Sequence, residues 1–468
     1  MTYFACLAAV ASVVGALPRR FRKAGLLCAS LAFYAVWATP YLALVVGLGT
    51  LNYLGAIWIA RGRRRERRGF CLVVVNLIVI GAFKYAATSP FAFASVPWRT
   101  GSDLGLPAWV LWLVLPVWAC EAIGYVADVT SGRETPRSWV DIQLFLAFFP
   151  NALAGPIMRV GQLVPQFAAP LRPSAADVME GIRQIVTGMV LKIVLADGLA
   201  EPLTHLLARR PATLGARDVW VIAIACGLQF YFELSAYSRI AIGSARLFGL
   251  RLVQNFAYPY SAISPSSFWD RWNMSLLRWV DDYVRAPLVR RSTSRLGAAF
   301  ATCASMIVFG LCHAATWGWM AWGVAQGGWL SVARLAAIRR RAAEASSPPA
   351  RTSRQFLLAP VSIAATIALV SLCGLLVRSR SLGDAASLVW IALSPWSRHV
   401  SRPLDMFDLE MFSGVVIVSL AGIVMPRLAR WFDRLASRPE RRYFYGTAIA
   451  EGVGAAALLI LCLAYWNR

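Results

Sequence analysis

From Leu296 to Ala333 the chain carries no formally charged residue. One membrane crossing needs about 20 predominantly apolar residues, so this run is long enough for two. In hydrocarbon the backbone must satisfy its own polar groups, which leaves helix as the state for such a run. The pattern recurs along the chain. Candidate spans are Tyr3–Leu17, Ala24–Ala38, Tyr41–Ala60, Phe70–Ala87, Leu106–Val126, Trp139–Met158, Ile182–Ala200, Val219–Leu234, Leu296–Phe309, Leu311–Ala333, Phe356–Val377, Met411–Met425 and Ala448–Tyr465, about eleven to thirteen in all. Charged residues make up 15% of the chain, against roughly 25% in soluble domains. The expectation is an all-α integral membrane protein with re-entrant or interfacial helices among its spans.

The formal net charge is +24. In a soluble chain that would suggest nucleic acid, but here the cations sit in short clusters between apolar runs. Arg19–Lys23, Arg61–Arg68 and Arg334–Arg354 follow the positive-inside pattern. Putting the first two on the cytoplasmic side requires two crossings between them, broken at Pro40, and starts the N-terminus outside. Basic loops also hold anionic head groups, and no nucleic-acid partner is needed. The first apolar run lacks a basic flank before it and a small-residue cleavage site after it, so no removable signal peptide is expected. The nine cysteines form no CxxC pair and lie almost entirely in apolar runs. They read as small hydrophobes, and no metal site is expected.

Four consecutive stretches emerge: N-terminal helices over 1–114, a core over 115–333, a basic linker over 334–355 and C-terminal helices over 356–468. No internal repeat is visible, which counts against a transporter built from two halves. Within the core, Phe149-Pro150-Asn151 and Gly155-Pro156 are expected breaks at membrane depth. Pro265–Arg285 reads as one amphipathic helix capped by Ser267, too charged to cross lipid freely. Asn273 stands on its apolar stripe, either as a helix–helix glue residue or as the wall of a reaction chamber. His313 is one of only three histidines and sits within the uncharged run. Imidazole there is either a core group bonded to a neighbouring helix or a proton handler. Its neighbour Cys312 points about 100° away along a helix and is not expected to form a dyad with it. Glu121, Asp128, Lys192, Asp197 and Glu233 are ionisable residues at membrane level. Lys192 and Asp197, five apart, are not expected to pair within one helix, and Glu233 is expected to pair with Arg239 or Arg271. Arg159 either meets a donor's phosphates or lies on the inside face.

Ordered motifs cover Leu115 to Leu330. They are IGYVADV (Ile123–Val129), FFPNALAGPIMR (Phe148–Arg159), VPQF (Val164–Phe167), GMVLKIVLAD (Gly188–Asp197), FYFELSAYSRIAIGSARLFG (Phe230–Gly249), NFAYPYSAISPSSFWDRWNMSL (Asn255–Leu276), DDYVRAPL (Asp281–Leu288) and FGLCHAATWGWMAWGVAQG (Phe309–Gly327). Together these resemble the membrane-bound O-acyltransferase family, most closely the bacterial branch of alginate O-acetylation and teichoic acid D-alanylation. The resemblance implies helices around a central tunnel, with His313 in the active site. It implies a second signature position at Asn273, where the polysaccharide branch has His and the lipid-modifying branches often have Asn or Asp. An amide takes no proton at neutral pH, so acid–base work would fall on His313 alone. Further departures are Glu233, Leu234, Ala236 and Arg239 within Tyr231–Arg239, and Gln326 in place of a frequent second His.

The chemistry that the resemblance implies is acyl transfer from a thioester, of the acyl-CoA (acetyl-CoA) type, to a hydroxyl. No bound cofactor is implied. His313 would act as base and Asn273 would orient it or polarise the thioester carbonyl. Trp272 and Trp317 would wall the chamber, with Trp269, Ser275, Glu233, Tyr237 and Arg271 around it; Trp319 and Trp322 are further indoles of the same motifs. The implied setting is a bacterial cytoplasmic membrane, with an exported glycan as acceptor and a periplasmic or other extracytoplasmic acyltransferase as partner. Two other readings stay open: a lipid or small-molecule O-acyltransferase, and a transporter or flippase of a polysaccharide pathway.

Overall fold

The computed structural model describes residues 2–37, 39–86, 108–151, 155–291, 294–344 and 354–394. Its helices are α1 (Thr2–Ala16), α2 (Arg19–Trp37), α3 (Thr39–Ala60), α4 (Arg65–Ala86), α5 (Ala108–Thr130), α6 (Trp139–Ala147), α7 (Val160–Leu163), α8 (Ala175–Val190), α9 (Asp197–Ala208), α10 (Ala216–Arg246), α11 (Pro265–Trp269), α12 (Met274–Val280), α13 (Ala286–Arg291), α14 (Arg295–His313), α15 (Trp317–Glu344), α16 (Arg354–Arg378) and α17 (Leu382–Leu393). Among the described residues there is no strand. Among the described residues, four helical stretches are both long and apolar enough to cross a bilayer: Tyr41–Ala60, Ala216–Arg246, Arg295–His313 and Val361–Arg378. The expected spans Met411–Met425 and Ala448–Tyr465 lie outside the described residues.

Two expected spans are broken. Trp139–Met158 begins as a nine-residue helix, passes into a 3-10 turn at Phe149–Asn151, and is irregular over 155–159. Proline at position 150 has no N–H to continue the helix. Ile182–Ala200 passes through a π-helical turn at Leu191–Ala196 between α8 and α9.

The chain forms two compact units that interleave along the sequence. One comprises Met1–Met189 and Ala236–Gln254; the other comprises Val190–Ser235 and Asn255–Arg468. The first is centred on buried rings of Tyr34, Trp118, Phe145, Phe148, Phe149 and Phe248. Several of its polar groups pair internally. Asn52 and Asn76 exchange amide hydrogen bonds of 2.8 and 3.0 Å between α3 and α4. The buried Glu121 accepts from Asn151 Nδ2 at 2.9 Å and from the Met158 N–H at 3.2 Å, which ties the 3-10 turn after α6 to the irregular backbone beyond it. Lys23 pairs with Asp141.

In the second unit, α14 and α15 form an antiparallel hairpin joined at Ala314–Thr316. Small residues let their backbones approach closely. A Cβ at Gly323 would stand 2.6 Å from Ile307 Cα, and one at Gly327 2.6 Å from Cys303 Cα.

Candidate active site

His313 is the last residue of α14. Its Nδ1 lies 2.9 Å from the carbonyl oxygen of Phe309, four residues earlier. A carbonyl only accepts, so Nδ1 carries the proton and donates. The neutral ring then keeps its lone pair on Nε2. Trp319 of α15 stacks on the imidazole, with centroids 4.7 Å apart and planes inclined by 13°. Phe309 and Phe230 stand 5.3 and 5.7 Å away. The hairpin turn makes this possible: Thr316 accepts from the Trp319 N–H and starts α15, so Trp319 returns alongside the end of α14.

The ring cluster extends outward. Phe230 contacts Trp272 at 5.9 Å, and Trp272 stacks on Phe268 at 5.3 Å. Trp269 packs edge-on against Phe309 and Trp322, at 5.3 and 5.5 Å. Its indole N–H donates to Gln326 Oε1 at 3.2 Å. Of the expected chamber tryptophans, Trp269 and Trp272 are buried in this cluster. Trp317 is not: it is 74% exposed, and Trp319, two positions on, takes the place beside the imidazole. At the start of α15, two residues turn the side chain about 200° around the axis, so only one of the two indoles can face α14.

The expected single helix over Pro265–Arg285 is three pieces. Ser264, rather than Ser267, caps α11; Ser267 completes the box from inside. After Trp269 the chain turns, and Asn273 adopts a left-handed conformation (φ 40°, ψ 53°) before α12 begins. Asparagine tolerates that region better than most residues. The turn is clamped by Asn255, whose carbonyl accepts from the Met274 N–H at 2.8 Å and whose side chain accepts from the Ser275 N–H and hydroxyl at 3.1 and 2.9 Å. Asn273 itself is 9% exposed, and its amide makes no hydrogen bond among the described residues. A second π-helical turn, Asp281–Arg285, follows α12 and pairs Arg285 with Asp281.

The ionisable residues pair differently from expectation. Lys192 donates to Asp197 Oδ1 at 2.5 Å and to Glu233 Oε1 at 2.8 Å. The π turn between Lys192 and Asp197 explains the first contact: its wider winding brings residues five apart over one another. Glu233 also accepts from Gln229 at 2.7 Å. Arg239 donates instead to Gln184 at 3.0 Å, and Arg271 to Ser261 Oγ at 2.7 Å. Tyr237 is buried on the part of α10 that belongs to the first unit. Sequence reasoning passed over Phe230, Phe309 and Asn255. Rings at helical spacing look like core, and Asn255 carries no signal beyond its residue type.

Trp269 also lines a cavity of about 400 Å³ with Asp270, Asp281, Arg285, Ser305 and Arg334. Arg334 donates to Thr302 Oγ1 at 2.9 Å on its wall. Among the described residues no His, Cys, Asp and Glu group has the makings of a metal site.

Comparison with known proteins accounts for the motifs that meet here. The family model for membrane-bound O-acyltransferases matches residues 110–354. The probable alginate O-acetylase of Azotobacter vinelandii is 36% identical over 359 residues, covering 74% of this chain and 69% of that protein. Its counterpart in Pseudomonas aeruginosa is 34% identical, over 68% of this chain and 62% of that protein. The peptidoglycan O-acetyltransferase of Helicobacter pylori is 27% identical, over 67% and 64%. The matched region thus spans about two thirds of the length of these relatives. The hairpin with His313, the turn with Asn273 and the paired Glu233 all fall inside the matched region, and the chain belongs to the membrane-bound O-acyltransferase family.

Proposed function

We propose that this chain is an integral membrane O-acyltransferase. It moves an acyl group, acetyl first among candidates, from an acyl-CoA-type thioester to a hydroxyl of an exported polysaccharide. The observation that carries the reading is the anchored imidazole: Nδ1–H is committed to the Phe309 carbonyl, which leaves Nε2 as proton acceptor. The matched region, 110–354, supports taking 115–333 as the catalytic core.

In the proposed step, Nε2 takes the proton of the acceptor hydroxyl as its oxygen attacks the thioester carbonyl. The Asn273 amide donates to the oxygen on which negative charge develops. The tetrahedral intermediate collapses, the C–S bond breaks, and the leaving thiolate takes the proton back from the imidazolium. The products are an ester and a free thiol, and His313 is neutral again. General-base catalysis of this kind contributes about 10²–10⁴-fold. The C-terminal end of α14 and the face of Trp319 favour the cation formed in between. The surrounding rings keep water from the thioester. Access to His313 from both sides, through a tunnel, would let a cytoplasmic donor meet an extracytoplasmic acceptor. The cavity with Arg285 and Arg334 is our candidate for the donor's approach.

The relatives named for alginate and peptidoglycan favour a polysaccharide acceptor. A lipid acceptor is the second reading, favoured by Asn273 where the polysaccharide branch has His. The setting we propose is a bacterial cytoplasmic membrane, the N-terminus outside, with an extracytoplasmic acyltransferase receiving or handing on the acyl group. The test supplies radiolabelled acetyl-CoA to the inside face of membrane vesicles and recovers glycan and lipid separately. Label in base-labile ester on glycan is expected. Label confined to lipid would overturn the acceptor, and no labelled ester in either fraction would overturn the donor.

A further inference from the structure

The loop between α3 and α4 borders a second, open hollow of about 640 Å³ in the first unit. Five arginines line it, Arg61, Arg63, Arg64, Arg67 and Arg68, together with Trp58 and Cys71. None of the five is paired with a carboxylate among the described residues. Arg68 donates to the Trp58 carbonyl at 2.6 Å and lies 4.9 Å from the centre of the Trp58 ring. It occupies space that a side chain at position 62 would fill, since a Cβ on Gly62 would collide with the guanidinium.

A short basic loop is what the topology rule asks of any polytopic chain, and scattered, solvated cations satisfy it. It does not ask for a hollow. Five like charges around one concavity repel one another, and an anion seated among them relieves that cost. Guanidinium forks match phosphate oxygens two at a time. The apolar surroundings narrow the choice of anion. Leu54 and Trp58 of α3, and Phe70, Leu77 and Ile78 of α4, are exposed. A ligand with phosphate at one end and hydrocarbon at the other meets both surfaces.

We propose that this hollow binds an anionic phospholipid of the cardiolipin type, whose headgroup carries two phosphates. Coenzyme A also carries more than one phosphate, so the experiment must separate the lipid from the soluble source. The purified full-length chain in neutral detergent is titrated with cardiolipin, with phosphatidylglycerol or with coenzyme A. The alkylation rate of Cys71 is followed by mass spectrometry, and the exposed Cys28 serves as control. Cardiolipin is expected to slow labelling of Cys71 at concentrations well below those of phosphatidylglycerol, with Cys28 unchanged. Each arginine near a phosphate contributes enough that Arg64→Gln with Arg67→Gln should weaken the cardiolipin effect about 30-fold. Arg64→Lys with Arg67→Lys keeps the charge and should lose less. Three results would overturn the proposal: no protection of Cys71 in the wild type, equal protection by coenzyme A, or an unchanged cardiolipin effect in the glutamine variant.

Discussion

Replacing Trp319 by Leu removes the stacked face from His313 and leaves the Nδ1–Phe309 hydrogen bond in place. Two contributions are lost. A stacked aromatic pair is worth about 0.5–1.5 kcal/mol beyond its buried area. A cation over an indole adds about 0.5–1 kcal/mol where some solvent remains, and that part appears only when the ring becomes an imidazolium. The stack on the neutral ring is present before and during the reaction and cancels from kcat, so about 0.5–1 kcal/mol of transition-state stabilisation goes, a roughly 2–5-fold fall in rate. Because the cation exists only during the reaction, the fall should lie in kcat more than in KM. Trp319→Phe keeps a ring face and should lose less. Trp317→Leu, at an exposed position, should leave the rate unchanged. The assay is the initial rate of acyl transfer in membranes matched for protein level. Equal rates for Trp319→Leu and Trp317→Leu would refute the reasoning, as would a Trp319→Leu loss confined to KM.

Asn273→Gly keeps the left-handed backbone and deletes the amide. If the amide steadies the developing oxyanion, kcat should fall by about 10²-fold with thermal stability nearly unchanged, while wild-type kcat would end that role. Asn273→His, by contrast, should retain part of the activity, since the family resemblance implies His at this position in the polysaccharide branch. Lys192→Met strands Glu233 and Asp197 and should cost about 2 kcal/mol in detergent unfolding, with Lys192→Arg costing less; equal losses would contradict an ion-pair role. Hydrogen bonds from Ser174, and then Arg246, hold Asp177 below the usual carboxylate range. Its folded pKa is depressed, so its contribution to stability is present above the unfolded value and is lost as pH falls through the folded one. The stability deficit of Asp177→Asn should therefore shrink as pH drops below about 4, and a deficit constant down to about pH 2 would contradict this.

Apolar run length was enough to place α3, α14, the first half of α10 and most of α15, because helices that satisfy their own backbone dominate such segments. The motif order pointed to His313 and Asn273 as candidates but not to the turn at Asn273. What stayed hidden depends on winding and on backbone conformation at single residues. A period of about 3.6 carried through Asn273 makes one amphipathic helix of a segment that a left-handed residue divides. The same period separates Lys192 from Asp197, whereas a π turn joins them. It gives no way to choose between Trp317 and Trp319, because the choice rests on where Thr316 starts the next helix. The cationic partner of Glu233 lies on a distant segment, so charge complementarity alone offered the arginines and missed Lys192.

The most direct test measures ester-linked acyl groups on surface glycan in cells carrying the wild type or His313→Ala at equal membrane levels. A base anchored through Nδ1 and working through Nε2 has no substitute among the neighbouring rings, so the esters should vanish with the imidazole. Ester content equal to the wild type would contradict the assignment.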